Sequence, residues 1–366
     1  MEEARVCRLR QSNFELLRII SMILIVAHHY VVHGGFALWE KSFSFQLFFL
    51  QALSYGGKLG VNLFVLISGY FLVKSRCKIR KIVKLWLQVT AFSAGITLLF
   101  WVSGIFSISP KDLFQSFFPI IYNSYWFATA YFVIYLLSNY TNKLIEAIDR
   151  KEMFQLICML TILLSVLPTF LKSTIPTGDI FWFFLLYLIG AYIRLYEPTW
   201  LNGKYTLAYG VGAYGFCLLL CLAADELGIR WPVFSQYATY FSDMQKTTML
   251  VSSVLLFAGF KNLSIRFSPF INTVAASTFG IYLIHDNQYM RWFLWDRLFK
   301  NANFYNSPFL VLHAFGAISI TFLVCLLADL AYRKLIEENF WKCVDWWLDK
   351  RDIRYKRLTL SRDHSR

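Results

Sequence analysis

Arg18 and His29 are the first residues along the chain whose types and spacing fit a chemical task. They stand eleven positions apart in an apolar stretch. In an α-helix that is three turns plus about 20°, so both project from one face roughly 16 Å apart. Glu15, three residues before Arg18, shares that face and can pair with it. A guanidinium binds phosphate or carboxylate. An imidazole titrates near neutral pH and serves as a general base or nucleophile. The plainer reading is an arginine that snorkels to the interface and a histidine bonded to a neighbouring carbonyl. His28 is rotated by about 100° and faces a different neighbour, whereas His33 lies one turn beyond His29.

Other polar groups lie in apolar surroundings. The run GKLGVNLFVLISGYFLVKSR carries Gly60, Asn62, Ser68 and Gly69, small or hydrogen-bonding residues of the kind found where membrane helices meet. It is followed by six basic residues, Lys74, Arg76, Lys78, Arg80, Lys81 and Lys84, which suit phosphate binding or simply fix topology. Tyr125 and Trp126 open a further apolar stretch, as an interfacial aromatic belt would. STFGIYLIHDN ends on His285, Asp286 and Asn287 at or near the membrane. Asp225, Glu226 and Asp243 read as solvated residues in or beside an external loop.

The elements that must hold these groups are membrane helices. Apolar residues make up 57% of the 366-residue chain and charged residues only 16%, whereas soluble domains devote about a quarter of their residues to charge. The apolar residues gather in runs long enough to cross a bilayer, without the short alternating segments of a membrane barrel. Spans are predicted at 14–32, 59–73, 82–105, 117–137, 153–170, 180–195, 205–223, 247–260, 272–284 and 308–330. The short apolar stretch 43–53 is either an interfacial helix or an extension of the second span. The fold class is thus an all-α polytopic integral membrane protein of about ten transmembrane helices. Residues 1–13 form a cytoplasmic N-terminal segment, 14–330 the transmembrane domain and 331–366 a basic cytoplasmic tail.

Basic residues set the orientation. With the N-terminus inside, Arg5, Arg8 and Arg10, the run from Lys74 to Lys84, then Lys143, Arg150, Lys151, Lys204, Lys261 and Arg266 are cytoplasmic, with ten further Lys and Arg after Tyr332. The opposite loops hold far fewer, which is the positive-inside pattern. The net charge of +14 is explained by topology and anionic lipid, and spread over many loops it does not point to nucleic acid. The first span reads as a retained signal anchor. The seven cysteines form no disulfide framework: Cys7, Cys77 and Cys343 fall on the reducing side and Cys158, Cys217, Cys221 and Cys325 within spans. Cys217 and Cys221 share a face, as core residues do, and no metal is expected.

In order along the chain, these pieces resemble the acyltransferase-3 family of bacterial membrane enzymes, which acylate cell-surface sugars and related acceptors. The resemblance lies in Arg18 and His29 in the first span, in GVNLFVLISGYFL (60–72) with the basic loop after it, in the Tyr-Trp-Phe opening of the fourth span, and in STFGIYLIH (277–285). It covers the whole helical region. Many members have Trp-Ser-Leu and a Glu pair in the fourth span where this chain has Trp126-Phe127-Ala128-Thr129, and the extracytoplasmic domain fused to some members is not expected here.

The resemblance implies an O-acyltransferase moving an acyl group, acetyl in the first instance, from cytoplasmic acyl-CoA to a hydroxyl of a surface or lipid-linked polysaccharide. His29 and Arg18 would be catalytic, with Arg18, Arg76 and Arg80 holding the donor. Asn62, Ser68, Tyr125, Trp126 and His285 would contact substrate. No cofactor is held permanently, acyl-CoA being a substrate. The partners are the bilayer, the polysaccharide and proteins that assemble it. Direct transfer and an acyl-histidine relay both remain open. A secondary transporter or flippase is the rival, but the sequence lacks the inverted repeat and paired broken helices of many transporters. The orientation is testable: topology reporters fused at Ile105 and Leu330 are expected to read outside and inside respectively, and an external reading for a C-terminal fusion would overturn the even number of spans.

Overall fold

The computed structural model describes residues 11–38, 44–172 and 178–346, and among them every regular element is a helix. The N-terminal arginines, Cys7, Lys41 and the end of the basic tail lie outside the described residues. The long helices are α1 (Ser12–Val32), α2 (Phe45–Leu72) and α3 (Ile79–Ser103). A short α4 (Pro110–Ser116) precedes α5 (Trp126–Ala147). Next, α6 (Arg150–Thr161) runs through a π-helical turn, Ile162–Val166, into α7 (Leu167–Phe170). Then come α8 (Asp179–Tyr196), α9 (Thr206–Arg230) and α10 (Thr247–Asn262). The pair α11 (Pro269–Ala276) and α12 (Thr278–His285) forms one helix broken at Ser277, followed by α13 (Gln288–Trp292) and α14 (Leu310–Tyr332).

Among the described residues, seven helical stretches are long and apolar enough to cross a membrane: α1, α2, α3, α6 with α7, α8, α9, and α14 with its continuation to Trp346. The other three expected spans also find helices, each with a local departure. α5 begins nine residues later than the sequence predicts and extends to Ala147. Pro119, which donates no backbone hydrogen bond, and Asn123, with φ of 52°, keep the segment before it in turns. α10 has only 16 residues. The break at Ser277 splits the ninth span into two eight-residue halves. In the other direction, the stretch at 43–53 joins the second span, giving the continuous 28-residue α2.

Side-chain caps start several helices. Ser44 accepts from the Leu47 amide at α2, and Asp149 and Glu152 form a capping box at α6. These bonds satisfy amide groups that would otherwise lack partners at a helix start.

At the centre, α1 packs on α2, α10, α11, α12 and α14, while α2 also packs on α8 and α10. Close contact between α1 and α2 is possible because of glycine. A Cβ at Gly60 would lie 2.6 Å from the Ser21 carbonyl oxygen, and one at Gly57 would lie 2.3 Å from Cβ of His28. The outer surfaces of α9 and α14 expose Leu219, Leu323 and Leu327 by more than half, the pattern of helices that face hydrocarbon. One end of the bundle, called here the basic face, gathers the start of α1, the loop between α2 and α3, and the chain after α14. Asn13 donates to the Phe260 and Lys261 carbonyls there, and Arg80 grips Asp345 through both oxygens at 2.9 Å.

Candidate active site

Imidazole rings from the two ends of the chain meet inside the bundle. His29 Nδ1 lies 2.9 Å from His285 Nε2, joining α1 to the last residue of α12. His285 Nδ1 is 2.6 Å from the Ile281 carbonyl oxygen, one turn back on its own helix. A carbonyl only accepts, so Nδ1 of His285 carries the proton and its Nε2 is the acceptor. His29 must then donate through Nδ1, which leaves its Nε2 with a free lone pair. The Asp286 carboxylate stands beside this chain, 3.5 Å from His29 Nδ1, 3.8 Å from His33 Nε2 and 3.5 Å from Arg291 Nε. His29 is thus held at Nδ1 by a fixed acceptor, with a carboxylate beside that same nitrogen, while its Nε2 keeps its lone pair.

His29, His33 and Asp286 each offer a ligand atom, all within 4.8 Å of one another. The Arg291 guanidinium already supplies a cation to the same Asp286 oxygen, so the group reads as a hydrogen-bonded and ion-paired network.

A cavity of about 1010 Å³ opens at the basic face. Its cations are Arg18, Lys74, Lys81 and Arg194. Glu15 also lines it and is paired with Arg18. Arg194 donates to the Tyr70 hydroxyl at 3.0 Å and stacks over the same ring, which fixes the guanidinium in place. Gln88, also on the wall, donates to the buried Asp329 at 3.1 Å, and this bond turns its carbonyl oxygen away from that carboxylate. Phe64, Phe127, Tyr131 and Phe279 line the apolar part of the cavity. Tyr282 links that part to the imidazoles: its ring centroid lies 5.4 Å from that of Phe127 and 6.4 Å from that of His285.

Of the residues singled out from sequence, Arg18 and Ser68 line this cavity, and His29 and His285 form the imidazole pair. The others stand elsewhere. Asn62 is fully buried and lines none of the described cavities. Its amide donates to the Met244 carbonyl and to Ser253 and accepts from the Trp182 indole, so its bonding capacity goes into joining α2 to α8 and α10. Tyr125 is buried and accepts from Asn287 at 2.9 Å. Trp126 begins α5 with Lys58 5.8 Å above its ring. Arg76 lines an adjoining groove with Asn139, Tyr140 and Lys143, which shares Lys74 and Ser75 with the cavity. Arg80 is occupied by Asp345 and the Trp341 ring. Asp225 accepts from Gln51 within the bundle, and so is not the solvated loop acid expected of it.

Sequence reasoning missed Lys81 as distinct from its neighbours, and missed Arg194, Gln88 and Asp329 altogether. Arg194 and Asp329 were visible as charges inside apolar runs, a signal that marks function in membrane helices.

The model of an acyltransferase domain, that of the acyltransferase-3 family, matches residues 11–330. The chain belongs to this family. It is therefore a membrane acyltransferase, and the match spans every helix from α1 to most of α14. No curated protein and no solved structure matches the acyltransferase.

Asn62→Leu distinguishes packing from substrate contact in this acyltransferase. The substitution strands the Trp182 N–H and the Met244 carbonyl, and a buried unpaired polar group costs about 1–3 kcal/mol. The expected result is a lower melting temperature in detergent with unchanged activity per folded molecule. Normal stability with lost activity would return Asn62 to the substrate site.

Proposed function

We propose that the enzyme transfers an acyl group, acetyl in the simplest case, from cytoplasmic acyl-CoA to a hydroxyl of a cell-surface or lipid-linked polysaccharide at the bacterial plasma membrane. The observation that carries this reading is the layout along α1. A cation-lined cavity lies at its basic end, and an oriented imidazole pair lies about 16 Å farther along the same helix. The positive-inside pattern supports a cytoplasmic basic face and cytoplasmic termini.

Acyl-CoA bears several phosphates at one end and its thioester at the far end of a long flexible arm. Lys74, Lys81, Arg18 and Arg194 would hold the phosphates, the arginines as forks and the lysines as point charges. The arm would run along the aromatic part of the cavity toward Tyr282. His29 Nε2 would remove the acceptor's hydroxyl proton as the oxygen attacks the thioester carbonyl. The C–O bond forms and the C–S bond breaks. The thiolate leaves and recovers the proton from the imidazolium, giving ester and free CoA. Asp286 and His285 would stabilise His29 while it carries the charge.

Two measurements test this reading. For the donor, the purified protein is titrated with acetyl-CoA. The Lys81→Ala/Arg194→Ala variant is expected to bind at least about tenfold more weakly, a loss of ~1.4 kcal/mol, while Arg80→Ala binds normally. Equal affinity in the double variant would move the donor site elsewhere. For the base, His29→Ala is expected to insert at normal levels and to lower acylation of the surface glycan by about 10² to 10⁴, as read by mass spectrometry of the glycan. Full activity of that variant would sink the mechanism.

A further inference from the structure

A second pocket, of about 460 Å³, lies toward the opposite end of the bundle between α1, α2 and the turn leading into α10. Its polar lining includes His28, Ser54, Lys58, Tyr240, Asp243 and Lys246. It shares no residue with the cavity at the basic face.

Lys58 is the anomaly in this pocket. It stands 13 residues from the start of α2 and 14 from its end, so roughly 20 Å of helix separates it from either end. An ammonium so placed is costly unless something neutralises it. Among the described residues no carboxylate lies within ion-pair distance of Lys58, and it makes no hydrogen bond. Asp179 and His28 interact with it only electrostatically, at longer range, and the Trp126 ring lies 5.8 Å away. Lys246, by contrast, donates to the Pro168 carbonyl at 3.0 Å and stacks over Tyr240 at 3.9 Å, yet an ammonium has three donors and some remain. Two cations thus share the pocket with one acid, Asp243.

We propose that this pocket binds an anionic oxyacid group of the acceptor, a phosphate or a carboxylate, with Lys58 as its main contact. The assignment rests on the acyl-transfer reading above, which puts the acceptor opposite the donor. A neutral sugar offers hydroxyl groups, which cannot neutralise the half-buried Lys58 ammonium, whereas a phosphate or carboxylate both neutralises it and accepts its donors. Asp243 can meanwhile accept from a sugar hydroxyl. The pocket is also beside the reactive imidazole, since the His28 ring on its wall lies 5.5 Å, centre to centre, from that of His29. A group anchored at Lys58 is therefore tethered next to the base, and the remainder of the acceptor has little distance to cover.

The test uses the full-length protein in nanodiscs of zwitterionic lipid. Three probes are titrated: a polyprenyl phosphate, a glucuronic-acid oligosaccharide and a neutral glucose oligosaccharide of the same length. The wild type is expected to bind one of the anionic probes at least tenfold more tightly than the neutral one. Whichever binds identifies the source of the charge, lipid phosphate or sugar carboxylate. Lys58→Met is expected to lose at least tenfold in affinity for that probe, and Lys58→Arg to keep most of it. Acetyl-CoA affinity, read at the other cavity, is expected to stay constant in both variants. Equal binding of all three probes by the wild type would overturn the proposal whether or not the variants fold, and so would undiminished binding by Lys58→Met. Anionic selectivity in a protein that fails to bind acetyl-CoA would leave this pocket assigned and would defeat the acyl-transfer reading instead.

Discussion

Two glycines of α2 let its backbone lie directly on α1, with Gly60 against the Ser21 carbonyl and Gly57 against His28. Without hydrophobic drive between helices in lipid, such close approach is what makes van der Waals packing strong enough to hold them together. The placement of α1 follows from it. With one side fixed on α2, the helix turns His29 toward α12 and α14 and His28 toward the pocket beside α2. Two adjacent histidines thereby serve two different compartments. The His28 ring also touches a ladder contact of its own, through Nδ1 to the Ser54 carbonyl, so its orientation is as settled as that of His29.

The break in the ninth span has a related effect. The interruption at Ser277 starts a short α12 that ends on His285 at the depth of His29. Asp329 of α14 packs against Gly280, near the start of α12, and receives the Gln88 amide. A carboxylate near the positive end of a helix is electrostatically favourable. His285 and Asp329 are thus each tied to another element, beside the place where the backbone departs from a straight helix.

Composition and run lengths made the helical membrane fold legible, since hydrocarbon leaves the backbone almost no alternative. The helical period also put Arg18 and His29 on one face; in the structure Arg18 borders the basic cavity and His29 meets His285. What periodicity lacks is the identity of the neighbour. Asn62, an amide in an apolar helix, read as a residue of a helix interface, and only the resemblance made it a substrate contact. It proved to be a junction whose partners are 120 to 191 residues away in sequence. Arg80 looked free because Asp345 lies 265 residues later. Arg194 went unread because a charge in the last turn of an apolar run usually marks only a helix end, although apolar residues continue beyond it. The pairing of His29 with His285, 256 residues apart, came only from the fold.

The ring of Tyr282, buried among Phe127, Phe279 and His285, stands between the basic cavity and the imidazole pair. A protein hollowed from both ends is in danger of becoming a channel, and each leaked proton or cation would dissipate the voltage that the bilayer sustains. An aromatic partition holds no continuous file of water and offers a permeating ion nothing to replace its hydration shell. Its faces can nevertheless lie flat against a flexible acyl chain. The side chains that close the inner end of the basic cavity therefore act as electrical insulation, and the membrane keeps its charge.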